Sequence, residues 1–422
     1  MSFKLFKIFL FLPFICGAQS FFELDTKAKD FYDEGKYIEA SNELKKIKYF
    51  KKFNAYKEEI NFLIGVCLFQ NPNPRNLKKS SSIFKKIRYS KRLENSSFYI
   101  QNILFYAKTI HRLGDFNYAL ENYTKYKELT NDNSVDLFIK SCKFAIESKK
   151  VNDISLVKSK LSSREDDFDL SVVSDKFLVL SSTKNDIKGK TDSDIFFYEF
   201  QDNSNKWINR EDLLHKKINS FSHIQNPAFN YDKSLLYFSK ASKDKKSKSI
   251  GDFKLFCLRK DNENWGKPIL VPLPYKPNKN FKCPHLSVDE ETLLFSSNMD
   301  GGYGGYDIWM IKRISKDKWT NPINLGLKVN TSEDELYPFI SESNQRLYFS
   351  SNGHVGIGGF DIFYTDIDNN LNTSIVLNLG YPYNSPNDDM SYISLDGNIG
   401  YISSNRLGSN KFDIYLFDCN QK

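Results

Sequence analysis

Leu347-Tyr348-Phe349-Ser350-Ser351-Asn352 leads into Gly358-Gly359-Phe360-Asp361-Ile362, and this pair of phrases recurs along the second half of the 422-residue chain. The first phrase returns as Leu180-Ser181-Ser182, Tyr237-Phe238-Ser239, Phe295-Ser296-Ser297-Asn298 and Ile402-Ser403-Ser404-Asn405. The second returns as Asp194-Ile195, Asp252-Phe253, Asp307-Ile308 and Asp413-Ile414, so its aspartates stand 58, 55, 54 and 52 residues apart. Trp207, Trp265 and Trp319 keep the same step. A fixed period of this length marks stacked or ring-closed repeats. Short apolar runs bounded by polar turns, in a chain with 15% aromatic residues, make each unit a small antiparallel sheet.

The third unit shows the content of one repeat. Strands are expected over 285–288, 292–297 and 307–312, with a fourth near 323–325 beyond Lys318-Trp319. Four strands per unit is the content of a propeller blade. The last unit stops after its third strand, near 414–417, and lacks a fourth. Residues 155–162 match 212–219 and 324–330, the fourth-strand regions of other units. A strand at about 152–162 would therefore complete the last unit and close the ring, removing open edges. The expectation is five blades over 151–422, with six as the alternative if the preceding helical linker hides another unit.

Residues 19–150 read differently. Gly and Pro are scarce and apolar residues recur with helical period. Leu104, Ala107 and His111 form one stripe, Leu113-Gly114-Asp115-Phe116 turns, and Ala119, Leu120 and Tyr123 open another. Ala28, Phe31 and Tyr32, then Gly35-Lys36-Tyr37, then Ala40 and Leu44 repeat that order. A weaker copy runs from Phe62, Leu63, Gly65 and Cys67 through Asn71-Pro72-Asn73-Pro74 to Ile83, Phe84 and Ile87. A terminal helix is expected over 136–149. His111 reads as a packed side chain within its stripe.

The Gly-x-Tyr/Phe-x-x-Ala core at 35–40 and 114–119 resembles tetratricopeptide repeats, which implies a stack with a concave groove for a peptide or protein segment. Tyr337-Pro338-Phe339-Ile340-Ser341, with the two opening phrases, resembles the WD40-like, TolB-type (PD40) propeller repeat. The fold class is thus multidomain, α plus all-β: tetratricopeptide-like helices followed by a five-bladed β-propeller. The combination resembles the N-terminal part of PorE-like and related OmpA-family envelope proteins of the Bacteroidetes, which implies a link to type IX secretion and gliding machinery. The sequence ends at Lys422 without an OmpA-like domain, so the resemblance carries over no anchoring to the cell wall.

Residues 1–18 are expected to be a secretory signal peptide: Lys4 and Lys7, an apolar run over 8–15, then Gly17-Ala18. Lipidation at Cys16 is the alternative. The apolar run is short of a membrane span of roughly 20 residues. The charge of +8 is uneven: residues 21–150 hold 25 Lys+Arg against 16 Asp+Glu, and 151–422 hold 33 against 36. A basic helical half suits an acidic protein or anionic envelope lipid. Cys67, Cys142, Cys257, Cys283 and Cys419 are dispersed, which suggests neither a metal site nor a disulfide framework.

Chemistry-bearing residues are expected to serve the repeat. The loop Asn298 to Asp307 sets carboxylates among glycines as calcium loops do, yet its spacing differs from the EF-hand type and every well-matched unit has such a loop. Asp194, Asp252, Asp307, Asp361, Asp413, Asn298, Asn352 and Asn405 are read as structural repeat positions. Asp166-Asp167, Glu333-Asp334-Glu335 and Asp388-Asp389 fall at equivalent junctions and read as turns rather than as a glycosidase pair. No nucleophile elbow or phosphate-cradling loop stands out. The expectation is a non-catalytic scaffold without cofactor or metal, exported to the periplasm or the periplasmic face of the outer membrane. Its expected partners are envelope proteins, not nucleic acid, with peripheral outer-membrane association. The expected contact loops carry Gly301, Gly302, Tyr303, Gly304, Gly353, His354 and Gly356. A propeller binding a glycan or small ligand in its channel is the alternative, and a hydrolase is the third reading.

Overall fold

The computed structural model describes residues 26–71, 73–148, 154–174, 176–183, 193–202, 206–210, 223–243, 250–261, 264–316, 318–341, 343, 345–368, 371–394, 396–406 and 411–419. The expected leader over 1–18 with Cys16 and the 212–219 strand match lie outside those residues.

Seven helices are described: α1 (Thr26–Asp33), α2 (Tyr37–Ile47), α3 (Lys57–Gln70), α4 (Pro74–Arg88), α5 (Tyr99–Arg112), α6 (Phe116–Thr130) and α7 (Asp136–Ser148). The two glycine turns foreseen in the sequence are built alike. Gly35 and Gly114 take φ of +76° and +80°, which L side chains disfavour. Lys36 N–H donates to Phe31 O at 2.8 Å and Asp115 N–H to Ile110 O at 3.0 Å, closing the preceding helix. Asp115 and Asn73 cap the helices that follow, accepting from Tyr118 N and Asn76 N. Ala28, Ala40 and Ala119 are fully buried where helices meet. Gly65 lets α4 approach α3, because a Cβ there would stand 2.6 Å from the Phe84 ring. His111 is buried against Phe116 and Tyr123, a packed position.

The remainder forms five antiparallel sheets. Blade 1 holds Asp167–Ser174, Phe177–Ser182, Asp194–Gln201 and Lys206–Asn209. Blade 2 holds Ile224–Phe229, Leu235–Lys243, Ile250–Asp261 and Ile269–Leu270, and blade 3 holds Phe281–Leu286, Thr292–Ser297, Asp307–Ser315 and Ile323–Asn324. Blade 4 holds Glu335–Ser341, Arg346–Ser351, Asp361–Asp366 and Leu377–Asn378. Blade 5 takes Asp389–Ser394, Ile399–Ser404 and Asp413–Asp418 from the end of the chain, and Ser155–Lys158 from its middle. The pairing is antiparallel, with Leu156 opposite Phe417 and Lys158 opposite Tyr415. The first strands touch one another in a cycle and so surround the axis.

Five apolar cores lie between successive blades, and they explain the recurring phrase. Leu347 and Phe349 pack toward blade 3 with Leu294 and Ile308. Tyr348, between them, points the other way, toward Tyr392, Ile402 and Phe417 of blade 5. Side chains alternate across a strand, so a strand buried on both faces is apolar throughout. Each face of the middle strand serves a different neighbour.

The first strands differ from expectation. In blade 3 the strand begins at Phe281, four residues before the expected start. A bulge explains the difference: Cys283 has φ +50° and the register shifts between Lys282 and His285. The interruption, followed by Pro284, breaks the alternation that sequence reading relies on.

Candidate functional site

The bulge recurs in every blade. Asp169, Asn226, Cys283, Tyr337 and Ser391 all have φ between +50° and +60°, and each sits where the first strand shifts register. Sequence reading missed this ring. Its only signal is the X-Pro step Asn226-Pro227, Cys283-Pro284 and Tyr337-Pro338 in three of the blades. Hydrogen bonds hold it across blades. Ser181 Oγ accepts from Asn226 N at 3.0 Å, Ser350 Oγ from Ser391 N at 3.3 Å, and Ser391 Oγ from Leu170 N at 3.3 Å. In blades 1 and 4 the first serine of the recurring phrase, Ser181 and Ser350, is thus a strut between middle and inner strands.

Asp169, Cys283, His285, Tyr337, Phe339, Ser391 and Tyr392 converge on an axial space. It offers about 40 Å³ to water-sized occupants, enough for a few waters. Asp169 accepts from Asn226 Nδ2 at 2.6 Å, and burial pushes its carboxyl up to about 7. Burial holds His285 down to about 4, and its Nε2 accepts from Ile340 N at 3.1 Å, so the ring is neutral.

Around the axis, the repeat positions build one ledge several times. Asp307 Oδ2 accepts from Tyr303 N at 2.7 Å and Oδ1 from Gly304 N at 3.2 Å, pinning the loop that precedes it. Asp361 accepts from Ile357 N, from Gly358 N at 3.0 Å and from Asn378 Nδ2 at 3.0 Å. Asn330 and Asn384 clasp both backbone groups of the isoleucine after each aspartate: Ile308 N and O at 2.8 and 3.0 Å, Ile362 N and O at 2.7 and 2.9 Å. Ser162 does the same for Ile414 in blade 5, at 3.0 and 3.2 Å. Asp413 meets Lys158 Nζ at 2.7 Å, Asp252 accepts from Asn278 N at 2.8 Å, and Asp194 is buried at the start of its strand.

The acidic doublets link blades. Asp334 accepts from Tyr306 N at 2.8 Å, Asp388 from Phe360 N at 3.1 Å and Asp166 from Phe412 N at 3.0 Å, each from the preceding blade. Asn352 and Asn405 accept from Asp334 N and Asp388 N at 2.9 and 2.8 Å, and Asn298 accepts from Asn280 N at 2.7 Å. The second acid turns inward: Glu335 meets Ser351 Oγ at 2.7 Å, and Asp167 meets Ser182 Oγ at 2.6 Å. Burial pushes Glu335 up to about 7 and Asp361 up to about 8. Among the described residues, no group of three or more His, Cys, Asp or Glu is placed to hold a metal ion.

The expected contact loops occupy the ledge. Tyr303 stands 48% exposed beside Gly301, whereas a Cβ at Gly302 would meet Asp307 Oδ2 at 2.7 Å. Gly304 lies against backbone, with Glu333 O 2.5 Å from a would-be Cβ. Gly353 and Gly356 lie against Thr331 and Asp361. His354 turns inward between Phe349 and Phe363, with Nε2 2.9 Å from Val329 O, and leaves Val355 at the surface.

No protein-family model matches the sequence, and no curated protein matches it. Solved structures share the propeller. TolB from Acinetobacter baumannii matches with a TM-score of 0.36 and 13% identity over 61% of this chain, which spans just over half, 55%, of that protein. A thermostable family-43 glycoside hydrolase matches with a TM-score of 0.42 and 14% identity over 62% of this chain and 90% of its own. The arabinanase of Bacillus subtilis matches at 0.40 and 12%, over 61% of this chain and 95% of its own. These likenesses show a fold. The expectation of a non-catalytic chain is corrected to this extent: the solved structures that it resembles include glycoside hydrolases as well as TolB.

Proposed function

We propose that the chain is an exported scaffold of the cell envelope that binds protein partners through the loop rim of its propeller and the groove of its helical stack. The carrying observation is the axis: among the described residues, the space that the inner strands line offers about 40 Å³ to water-sized occupants, small beside the roughly 300–1,000 Å³ of small-molecule sites. Recognition then falls to the rim, where Tyr303 projects from a loop whose backbone Asp307 fixes. An exposed aromatic on a pinned loop loses little entropy on docking. The proposed division is a leader over 1–18, a helical adaptor domain over 19–150 and a propeller over 151–422. The proposed setting is the periplasm or the inner face of the outer membrane, associated with type IX secretion or gliding machinery as the PorE-like resemblance suggests. Crosslinked capture from the native envelope, followed by reconstitution with the purified partner, tests this. One envelope protein is expected to bind, and Tyr303→Ala to weaken it about tenfold. Selective binding on a glycan array, with no partner that survives reconstitution, refutes the reading.

A further inference from the structure

Three large aromatic side chains stand in water within eight residues of the helical unit. Tyr49 is 79% exposed, Phe50 54% and Tyr56 44%. They lie on the connector between α2 and α3, a turn followed by the 3-10 helix Lys51–Tyr56. Phe53, in the same connector, is buried and roots it. Buried Phe53 shows that the packing here can take an aromatic ring, so the exposure of its three neighbours is a property of this surface.

Lysine dominates the charge around these rings. Residues 44–57 contain six lysines, at 45, 46, 48, 51, 52 and 57, and no acid, with Glu43 and Glu58 just outside the stretch. Lys46 pairs with Glu43 at 2.7 Å, and Lys48 Nζ lies 5.9 Å from the Tyr49 ring. Lys45, Lys51 and Lys57 are exposed. An acidic protein surface would complement the lysines but would need a shaped pocket for each of the three rings. A bilayer interface provides for both: aromatic rings settle at headgroup level, and lysines meet anionic phosphates.

We propose that this connector is a peripheral docking site for a bilayer containing anionic phospholipid, with Tyr49, Phe50 and Tyr56 entering the interface and the lysines engaging phosphates. The inference does not depend on the adaptor reading. Each lysine held near an anionic surface strengthens partitioning about fivefold, an effect that fades beyond a Debye length of about 10 Å at 0.1 M salt. Burial of a Phe-sized ring adds about tenfold or more.

The test is co-sedimentation of the full chain, as processed by the expressing cell, with vesicles of phosphatidylcholine alone or with about a third phosphatidylglycerol. Two variants accompany it: Tyr49→Ser with Phe50→Ser, and Lys48→Gln with Lys51→Gln and Lys57→Gln. The changed side chains are exposed or half-exposed, so circular dichroism and melting should match wild type. Binding is expected only with phosphatidylglycerol, to weaken at high salt, and to fall about 100-fold in each variant. Equal binding to neutral vesicles, no binding, or wild-type binding by the serine variant overturns the proposal. The last result would leave simple charge attraction, as toward an acidic protein.

Discussion

Replacing Asn384 by alanine isolates the clasp that the blades share. Asn384 is fully buried, takes Ile362 N–H at 2.7 Å, and gives its amide to Ile362 O at 2.9 Å and Asn378 Oδ1 at 2.9 Å. Asn378 is half-exposed and can turn to water. Ile362 is fully buried; its carbonyl also accepts from Leu379 N at 3.0 Å, so the group left orphaned is its N–H. Leaving a buried donor unsatisfied costs about 1–3 kcal/mol. A central value of about 2 kcal/mol stands against a typical total of roughly 5–15. For a unit of this size that lowers the melting temperature by about 4–8 °C. Thermal unfolding followed by near-ultraviolet circular dichroism reads it directly. Asn384→Asp keeps the shape and the acceptor but sets a buried carboxyl oxygen against Ile362 O and Asn378 Oδ1, so it should cost at least as much as alanine. A loss below about 1 kcal/mol in Asn384→Ala would mean that water replaces the clasp, and the reading of Asn330 and Ser162 as its equivalents would fail with it.

Other perturbations follow from the same geometry. Gly358→Ala would place a Cβ 2.1 Å from Asn387 O and 2.3 Å from Ser385 O, both backbone, so it should cost at least about 3 kcal/mol in thermal unfolding. Gly326→Ala, at φ +82° with open space around it, should cost only about 1 kcal/mol from backbone strain; parity between the two would refute the close-approach argument. Burial holds the Asp169 carboxyl up to about 7, so the folded chain keeps a proton that the unfolded chain releases near pH 4. That contribution is fully present at acid pH and is lost as pH rises through 7, on the order of 4 kcal/mol; Asp169→Asn should remove its share of the slope measured by urea unfolding and leave the shares of Glu335 and Asp361, which shift the same way. Burial raises the thiols of Cys67 and Cys142 up to about 12, whereas Cys419 is half-buried. Of these three, Cys419 should therefore react first with a thiol reagent, as peptide mapping would show.

The fold was legible where a side chain serves both its own strand and the next blade. Phe349 and Tyr348 face opposite cores, so neither position tolerates a polar residue, and the phrase repeats visibly. The inner strands were harder to read. Cys283 and Tyr337 take left-handed backbone that no residue type announces, and residues as unlike as Asp169, Asn226 and Ser391 fill the same position. That position is defined by backbone bonds from neighbouring blades, which leave little trace in composition. The candidate loops were legible as glycine-rich. Their local pinning falls on Asp307 and Asp361, repeat positions visible in the sequence. Their tie to the next blade was not legible, because it depends on acids about 28 residues away, such as Asp334 for Tyr306 and Asp388 for Phe360.

Those distant acids explain how one repeat can be joined either along the chain or across it. Asp334 reaches back to the amide of Tyr306, and Glu335 N–H donates to Tyr306 O at 2.6 Å. Asp388 and Asp389 treat Phe360 the same way. Asp166 takes Phe412 N–H at 3.0 Å, and Asp167 N–H donates to Phe412 O at 2.9 Å, although some 245 residues separate them. The junction that closes the ring thus uses the same bonds as the junctions within it. Ser162 replaces Asn330 and Asn384 there, with a hydroxyl that serves as donor and acceptor at once. Closure then depends on residue chemistry at the junction rather than on chain continuity, so the Ser155–Lys158 strand is held by its sheet partner and by the clasp that follows it. Ser162→Ala should weaken blade 5 as Asn384→Ala weakens blade 4. The expected cost is about 1–2 kcal/mol, because Ile414 O keeps its bond from Ser159 N at 2.8 Å and the Ile414 N–H is the group left orphaned.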